Sequence, residues 1–290
     1  MNKFYIQIVL FLLSIFVYVN NKTLASEPTP KKASPNDPNE DTGPTPPYRC
    51  LTSEEIYEKN KHILCTNPKE TKEAEELMNE AVKKLMHYAE NNDGYEIYED
   101  SSVIGPNLYK KKLENNTYVE KIDYLVYGIN KYEEIINEIW DPNHASPFNN
   151  GDVKIARVYN PNLVIIQQRY KKKSMERQKY FYALVKKTQI SEDTTIIAMT
   201  SANINDHNPS GKKYENTIVK KANSFTTDIN SEEDIRQGKL KKAFVNIAGY
   251  QIQKRKNRAD VTYIESIDGH TSIIRRSCCG ICMAGYYVNK

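Results

Sequence analysis

The chain has 290 residues, of which 39% are hydrophobic and 27% are charged, and its formal net charge at pH 7 is +4. This length suits one large domain or two small ones, and the nearly balanced charge argues against a nucleic-acid-binding protein. Basic residues cluster only in short groups, at residues 110–112, 171–173 and 254–256. These groups predict solvated loops and strand ends, with attraction to an anionic lipid surface as the alternative.

The first 50 residues have the pattern of a targeting segment followed by a spacer. A short basic start precedes an apolar run at residues 4–19 and then small and polar residues up to Ala25. This pattern is typical of a secretory signal peptide over residues 1–25, and an uncleaved membrane anchor is the alternative because the run is almost long enough to span a bilayer. Residues 26–50 are rich in Pro and polar residues, which predicts a disordered spacer. One globular domain over residues 51–290 remains.

Two helix starts follow the spacer. Thr52 and Glu55 form the Thr-x-x-Glu pattern of a capping box, which predicts a short helix to about residue 64. Asn67 followed by Pro68 predicts a second start, and this helix is expected to run to about residue 91. Its apolar residues recur at spacings of three and four, which predicts one buried stripe.

The remainder of the chain predicts mainly strands. Short strands are expected at residues 95–98, 107–113 and 117–124, followed by a helix at residues 129–140. Alternating and β-branched residues then predict a four-stranded meander at residues 153–159, 163–170, 180–187 and 194–201, and a final hairpin at residues 244–252 and 261–267. The short connections predict antiparallel pairing and an α+β fold. The helix at residues 68–91 is expected to cover this sheet, at its edge or over one end.

The chain has five cysteines, an odd number that would leave one unpaired in a secreted protein. Cys50 and Cys65 flank a short helical stretch, so a disulfide between them is one prediction. Cys278, Cys279 and Cys282 lie near the C-terminus. Without histidines at ligand spacing they are a weak zinc motif, and lipidation or an incidental tail sequence explains them equally well.

Motifs of known catalytic sites are not found in the sequence. It contains no Gly-rich phosphate loop, no His-Glu-x-x-His and no Gly-x-Ser-x-Gly. Asp206 and His207 could form an acid–base pair, but their Pro-containing loop favours a role in a turn. The sequence therefore predicts a binding protein and not an enzyme.

Several long stretches carry a resemblance to a known family. They are TSEEIYEKNKHILCTNP at residues 52–68, YGINKYEEIINEIWDPNHA at 127–145, VKIARVYNPNLVIIQQRYK at 153–171, TTIIAMTSANINDHNP at 194–209, and FVNIAGYQI and VTYIESIDGH at 244–252 and 261–270. Together they resemble the Plasmodium fam-a proteins, which are secreted proteins with a START-like domain, the lipid-transfer module of the steroidogenic acute regulatory type.

The resemblance implies a helix-grip START-like fold, in which a curved antiparallel sheet surrounds a lipid tunnel closed by a C-terminal helix. It implies a monomer that carries a phospholipid, above all phosphatidylcholine, between membranes through transient contact with their surfaces. It implies no catalysis, no cofactor and no metal. It also implies secretion through the signal peptide, with the parasitophorous vacuole or the host erythrocyte as destination.

A tunnel for a phospholipid needs aromatic faces for a choline group and an arginine or hydroxyl donors for a phosphate. Arg157 alternates in phase with Val153, Ile155 and Tyr159, so it either faces inward and needs an anion or pairs with a carboxylate of the protein. The residues predicted to line the tunnel are Trp140, Arg157, Tyr159, Ile166, Gln168, Arg169, Tyr180, Tyr182, Tyr250 and Tyr263.

The sequence departs from the family pattern in two places. Phosphatidylcholine-binding START domains have an arginine just after the helix that precedes the meander, whereas residues 143–147 contain none. Residues 272–290 contain two glycines and are too short for the expected long amphipathic helix, so an atypical short C-terminal helix is predicted. These departures leave an alternative function, an exported or surface interaction protein that keeps the fold but has lost lipid transfer.

Overall fold

The computed structural model describes residues 49–99, 106–114, 117–144, 148, 151–172 and 174–270. The predicted signal peptide, nearly all of the predicted spacer, the predicted C-terminal helix and the three C-terminal cysteines lie outside the described residues.

The described residues form helices and a much larger number of strands. The helices are α1 (Ser53–Lys59), α2 (Pro68–Glu90), α3 (Lys131–Trp140) and α4 (Glu233–Arg236), with short 3₁₀ turns at Lys61–Ile63 and Lys220–Asn223. The strands are β1 (Tyr95–Glu99), β2 (Asn107–Lys112), β3 (Tyr118–Tyr127), β4 (Gly151–Asn160), β5 (Leu163–Tyr170), β6 (Lys179–Ser191), β7 (Thr194–Thr200), β8 (Asn203–Asn205), β9 (Thr226–Asp228), β10 (Lys241–Lys242), β11 (Phe244–Lys254) and β12 (Arg258–Asp268).

The main sheet has the strand order β1-β2-β3-β12-β11-β7-β6-β5-β4, and each neighbouring pair along this path is antiparallel. The predicted meander β4–β7 is therefore confirmed. Strand β10 adds a short parallel pairing to β6, and β8 and β9 form a separate parallel pair. The register shifts within the pairs β4–β5, β6–β7 and β11–β12, and such bulges bend strands and give the sheet its curvature.

The first two helices begin where the sequence predicted them. At α1, the backbone N–H of Glu55 donates to Thr52 Oγ1 and the backbone N–H of Thr52 donates to the Glu55 carboxylate, which completes the capping box. At α2, Asn67 Oδ1 accepts from the backbone N–H groups of Lys69 and Glu70, and Pro68 occupies the first helical position. These contacts satisfy backbone donors that would otherwise lack partners.

Helix α2 packs on one face of the sheet, here called the α2 face, against strands β6, β7, β11 and β12. It therefore lies across the central strands, which corrects the prediction that it packs at the edge or over one end. Small residues explain this close approach. Ala74 and Ala81 of α2 are fully buried, and a Cβ at Gly249 of β11 would come within 2.9 Å of Leu85 Cδ1.

Helix α3 packs on the opposite face, here called the α3 face, against β11 and β12. Its buried residues Tyr132, Ile135, Ile136 and Trp140 join a second apolar cluster with residues of β3, β5, β6, β7, β11 and β12. The sheet is thus buried on both faces. Within the described ranges, no helix is both long and apolar enough to span a bilayer.

Candidate functional site

The residues predicted to line one tunnel are divided between the two faces of the sheet, because neighbouring residues of a strand point to opposite sides. The α3 face contains Trp140, Ile166, Gln168, Tyr250 and Tyr263. The α2 face and the strand ends beside it contain Arg157, Tyr159, Arg169, Tyr180 and Tyr182. The structure thus places this second group across the sheet from the first, and its lining of a tunnel stays a prediction.

On the α2 face, Arg157 pairs with a carboxylate of the protein, as one of the two predictions for it stated. Its Nη1 donates to Glu70 Oε1 at 2.8 Å and its Nη2 to the carbonyl oxygen of Asp228 at 2.7 Å. Tyr159 and Thr227 donate their hydroxyls to the same Glu70 oxygen. Burial raises the pKa of Glu70, but these hydrogen bonds outweigh it and hold that pKa below its usual value. The Arg157 guanidinium is thus engaged within the protein.

The other predicted residues of the α2 face are engaged in the same way. Arg169 makes a two-pronged contact with Asp234, Nη1 to Oδ2 at 2.6 Å and Nη2 to Oδ1 at 2.9 Å. Tyr180 donates to Asp206 Oδ2 at 2.8 Å, and Tyr182 contacts the amide of Gln167. Burial is the main cause that raises the pKa of Tyr182 to about 12, so its hydroxyl stays protonated at neutral pH. These groups hold α2, α4 and the strands together.

On the α3 face, aromatic rings form a compact cluster, here called the aromatic cluster and defined by Tyr124, Phe148, Tyr250 and Tyr263. The Phe148 ring stacks on Tyr263 with centroids 4.4 Å apart, and Tyr250 lies 4.7 Å from Tyr263. Phe148 is 2% exposed although it comes from the connection between α3 and β4. Phe148 was not among the residues predicted for the site. The one sequence feature that marks it is that it is an aromatic residue in an otherwise polar loop.

Beside Tyr250 lies a cavity of about 70 Å³, between the C-terminal end of α3 and strands β4–β7. Most of its wall is apolar. Besides Tyr250, the apolar residues that line it from the strands are Val153, Ile155, Val164, Ile166, Val185, Ile197 and Met199. Gln168 lies on the same wall and is 1% exposed.

The end of the cavity nearest α3 is polar, and is here called the polar end: Glu138, Trp140, Asp141 and His144. Glu138 Oε2 lies 3.9 Å from His144 Nε2. Burial, with a smaller contribution from the nearby Glu134, raises the pKa of Glu138, which His144 and Lys131 partly oppose. The indole Nε1 of Trp140 is buried and has no hydrogen-bond acceptor among the described residues.

A lysine lies on the far side of Trp140. Lys187 Nζ is 5.4 Å from the centre of the Trp140 ring and donates to Ser53 Oγ. Burial lowers the pKa of Lys187. Its ammonium is held by the α1 helix start and does not line the cavity.

Two larger hollows lie outside the α3 face. One of about 630 Å³ lies between residues 62–67 and β4, and one of about 380 Å³ lies beside Arg169 and α4. Their charged side chains already form ion pairs, such as Arg157 with Glu70 and Lys154 with Glu232. The smaller hollow is lined almost wholly by polar and charged residues and the larger one by about as many polar as apolar residues, so neither is as apolar as the cavity of the α3 face.

The predicted disulfide between Cys50 and Cys65 is not formed, and both residues are free thiols. Cys50 Sγ lies 3.8 Å from His144 Nδ1, near the C-terminal end of α3. Cys65 is fixed elsewhere, because its backbone N–H donates to the carbonyl oxygen of Val158 in β4. Burial raises the pKa of the Cys50 thiol, helped by the nearby carboxylates of α3 and Asp141.

No protein-family model and no curated protein matches the chain. Among solved structures, human StAR-related lipid transfer protein 5 is similar, with 15% identity over 76% of this chain and 94% of that chain and a TM-score of 0.51. Human STARD10 is 12% identical over 70% of this chain and 74% of that chain, with a TM-score of 0.48. Membership of the fam-a family stays a prediction from the sequence. The fold itself is START-like: an α+β helix-grip arrangement with a large curved antiparallel sheet.

Proposed function

We propose that this protein is a lipid carrier that binds one phospholipid on the α3 face of its sheet and transfers it between membranes. The observation that carries this proposal is the cavity of the α3 face, which combines a continuous apolar wall with a polar end. Sites for amphiphilic ligands have this composition, because the wall shields the acyl chains from water and the polar groups orient the head. Phosphatidylcholine is the first candidate, and we propose no catalytic step.

The size of the cavity sets a condition on binding. Its volume of about 70 Å³ is well below the roughly 300 to 1,000 Å³ of typical ligand sites. An acyl chain therefore needs the space that the rings of the aromatic cluster fill. Phe148 is the ring that we propose moves, because it comes from the connection between α3 and β4 and contacts both Tyr250 and Tyr263.

One end of the sheet has the chemistry for transient contact with an anionic membrane. The β5–β6 connection contains Lys171, Lys172 and Arg177, all exposed, around the fully exposed Met175. The loop also contains the exposed carboxylate of Glu176, so its basic residues are in excess, and each basic residue near an anionic membrane surface adds about 1 kcal/mol of attraction. This loop supports the transfer step of the proposal.

One observation favours a second candidate function. Because the described cavity is so small, the protein could have kept the fold as an exported or surface interaction protein without carrying lipid. The two functions differ in what copurifies with the protein. A carrier retains lipid through purification, whereas an interaction protein of this kind does not.

The test is mass spectrometry of lipids bound to the purified full chain, followed by vesicle-to-vesicle transfer of labelled phosphatidylcholine. We expect bound phospholipid at up to one molecule per protein and at best weak transfer. We also expect transfer to increase when a continuous amphipathic helix replaces everything after Ser272. Folded protein that contains no lipid and transfers none would contradict the carrier proposal and support the interaction protein.

We further propose that the protein is secreted as a monomer after cleavage near Ala25 and reaches the parasitophorous vacuole or the host erythrocyte. The support is the signal-like N-terminus and the sequence resemblance described above. A tagged protein retained inside the parasite's secretory pathway would contradict this destination.

A further inference from the structure

We propose that the polar end of the cavity selects lipids whose head carries an ammonium group, with Glu138 as the acceptor of that ammonium and Trp140 as the donor to a neighbouring head oxygen. This inference rests on the proposed lipid-binding function and specifies how the same site recognises its ligand. It concerns the charge of the head, which the apolar wall of the cavity leaves undetermined.

The charged groups around the cavity are mainly acidic. Among the described residues that line it, Glu138 and Asp141 are carboxylates, His144 is an imidazole, and none is a lysine or an arginine. A phosphate in direct contact with this end would meet two carboxylates and no guanidinium or ammonium. An ammonium meets opposite charge, which favours it at short range.

Of these two carboxylates, Glu138 is the one available to accept a ligand's ammonium group. Asp141 already accepts hydrogen bonds from the backbone N–H groups of Leu51 and Asn143, so it mainly fixes the end of α3. Glu138 has one ionic contact among the described residues, the 3.9 Å approach to His144. Its raised pKa shows that burial disfavours its charge, so an arriving ammonium would replace interactions that this carboxylate lost from water.

The indole N–H of Trp140 indicates a ligand independently of charge. Trp140 is 7% exposed, and its indole Nε1 is buried without an acceptor among the described residues. A buried donor without a partner costs about 1 to 3 kcal/mol, so such a group is commonly satisfied by a ligand or a water. The ester oxygen that joins the two-carbon spacer of the head to its phosphate lies three bonds from the ammonium nitrogen and would accept a hydrogen bond from this N–H.

The same contacts predict an order of affinity among lipid head groups. An ethanolamine head has a primary ammonium that donates hydrogen bonds to Glu138, whereas the quaternary ammonium of choline offers charge alone. A phosphatidate head has only negative charge. We therefore expect ethanolamine lipids to be bound at least as well as choline lipids, and both to be bound well above phosphatidate.

The test is competitive loading of the full chain from vesicles that contain phosphatidylethanolamine, phosphatidylcholine and phosphatidate in equal amounts with identical acyl chains. Bound lipids are counted by mass spectrometry. We expect the two ammonium lipids to exceed phosphatidate by at least tenfold. We expect Glu138→Gln to reduce this ratio to less than threefold, whereas the control Glu134→Gln, which removes a more exposed carboxylate from the same helix, keeps it.

A second variant tests the indole donor without changing charge. Trp140→Phe should lower total loading of both ammonium lipids several-fold and leave their ratio to phosphatidate unchanged. Equal loading of phosphatidate by the wild-type chain, or an unchanged ratio in Glu138→Gln, would overturn the inference and leave the carrier function standing. Absence of any lipid from every sample would overturn both.

Discussion

The two faces of the sheet are built from alternating residues of the same strands, yet the predicted site residues on the two faces make different contacts. On the α2 face, Arg157, Arg169 and Tyr180 each contact a carboxylate of the protein. On the α3 face, the indole N–H of Trp140 is buried without an acceptor among the described residues, and a cavity remains beside it. Under the proposed function, substitutions at these α2-face groups should act on stability, whereas substitutions at the cavity of the α3 face should act on ligand binding.

Two adjacent residues of β5 show this difference most directly. Ile165 is fully buried in the α2 face, whereas the next residue, Ile166, is partly buried and lines the cavity of the α3 face. They share a strand and a residue type. Substitutions at this pair therefore separate stability from binding.

The largest expected effect is on stability, from Ile165→Ala. Removing a fully buried isoleucine side chain leaves a cavity under α2 and should lower the free energy of unfolding by about 4 kcal/mol. Urea unfolding followed by circular dichroism measures the loss. The exposed Ile190 supplies the control, since Ile190→Ala should change stability by less than about 0.5 kcal/mol. A loss no larger than that of Ile166→Ala would remove the distinction between the faces.

The next effect concerns the polar network of the α2 face. Glu70→Gln removes the carboxylate that accepts from Arg157, Tyr159 and Thr227 and should cost about 2 kcal/mol of unfolding free energy. Lipid loading of the folded variant should be unchanged, because the network lies on the face away from the cavity. Loading that falls together with stability would show that the two faces are coupled.

The same network predicts a pH dependence. The pKa of Glu70 is held below its usual value of 4.5 in the folded protein, so its stabilising contribution is complete above that value. The contribution is lost as the pH falls below about 4.5 and through the folded pKa, because the unfolded chain binds this proton more tightly than the folded protein does. Urea titrations between pH 7 and pH 3 should show wild type and Glu70→Gln converging at the acidic end. A constant difference would exclude Glu70 as the titrating group.

The sequence predicted the elements of this fold better than the surfaces they form. Strand β5 was predicted with its observed bounds, and α2 began at the predicted cap, because turns and caps are local signals. The assignment of side chains to faces failed because both faces are buried. The run from Leu163 to Ile166 is apolar throughout, so alternation of apolar and polar residues could not mark an inner side.

The candidate site was only half predictable for a related reason. Arg157 looked like a ligand-binding group because its partner Glu70 lies 87 residues away in the chain, on a helix whose position no local pattern defines. Trp140 and Tyr250 were predicted to line the tunnel, and the structure places both beside the cavity. Glu138 was missed because an acidic residue in an amphipathic helix is ordinarily a solvent-facing one.

A smaller effect on stability, with a change in binding, is expected from Ile166→Ala. The side chain is only partly buried, so the loss should be about 1 kcal/mol. Because it forms part of the apolar wall, its truncation should weaken phospholipid binding about fivefold, the effect of losing about 1 kcal/mol of apolar contact. Equilibrium transfer of fluorescent phospholipid at equal folded concentration measures this. Unchanged binding would exclude the wall of the cavity as the acyl-chain site.

The smallest expected effect is at the two free thiols, which lie in different parts of this comparison. Cys50 lies beside His144 at the polar end of the α3 face, and Cys65 packs against the core of the α2 face. A disulfide closing a loop of this length would add about 3 kcal/mol to stability and would link the two regions covalently. Because the thiols are free, Cys50→Ser and Cys65→Ser should each change the free energy of unfolding by less than about 1 kcal/mol. The contrary result is that both variants are about 3 kcal/mol less stable than the wild type under oxidising conditions, with no difference once a reductant is added. That result would show that the bond forms in the wild type and that the two faces are not independent.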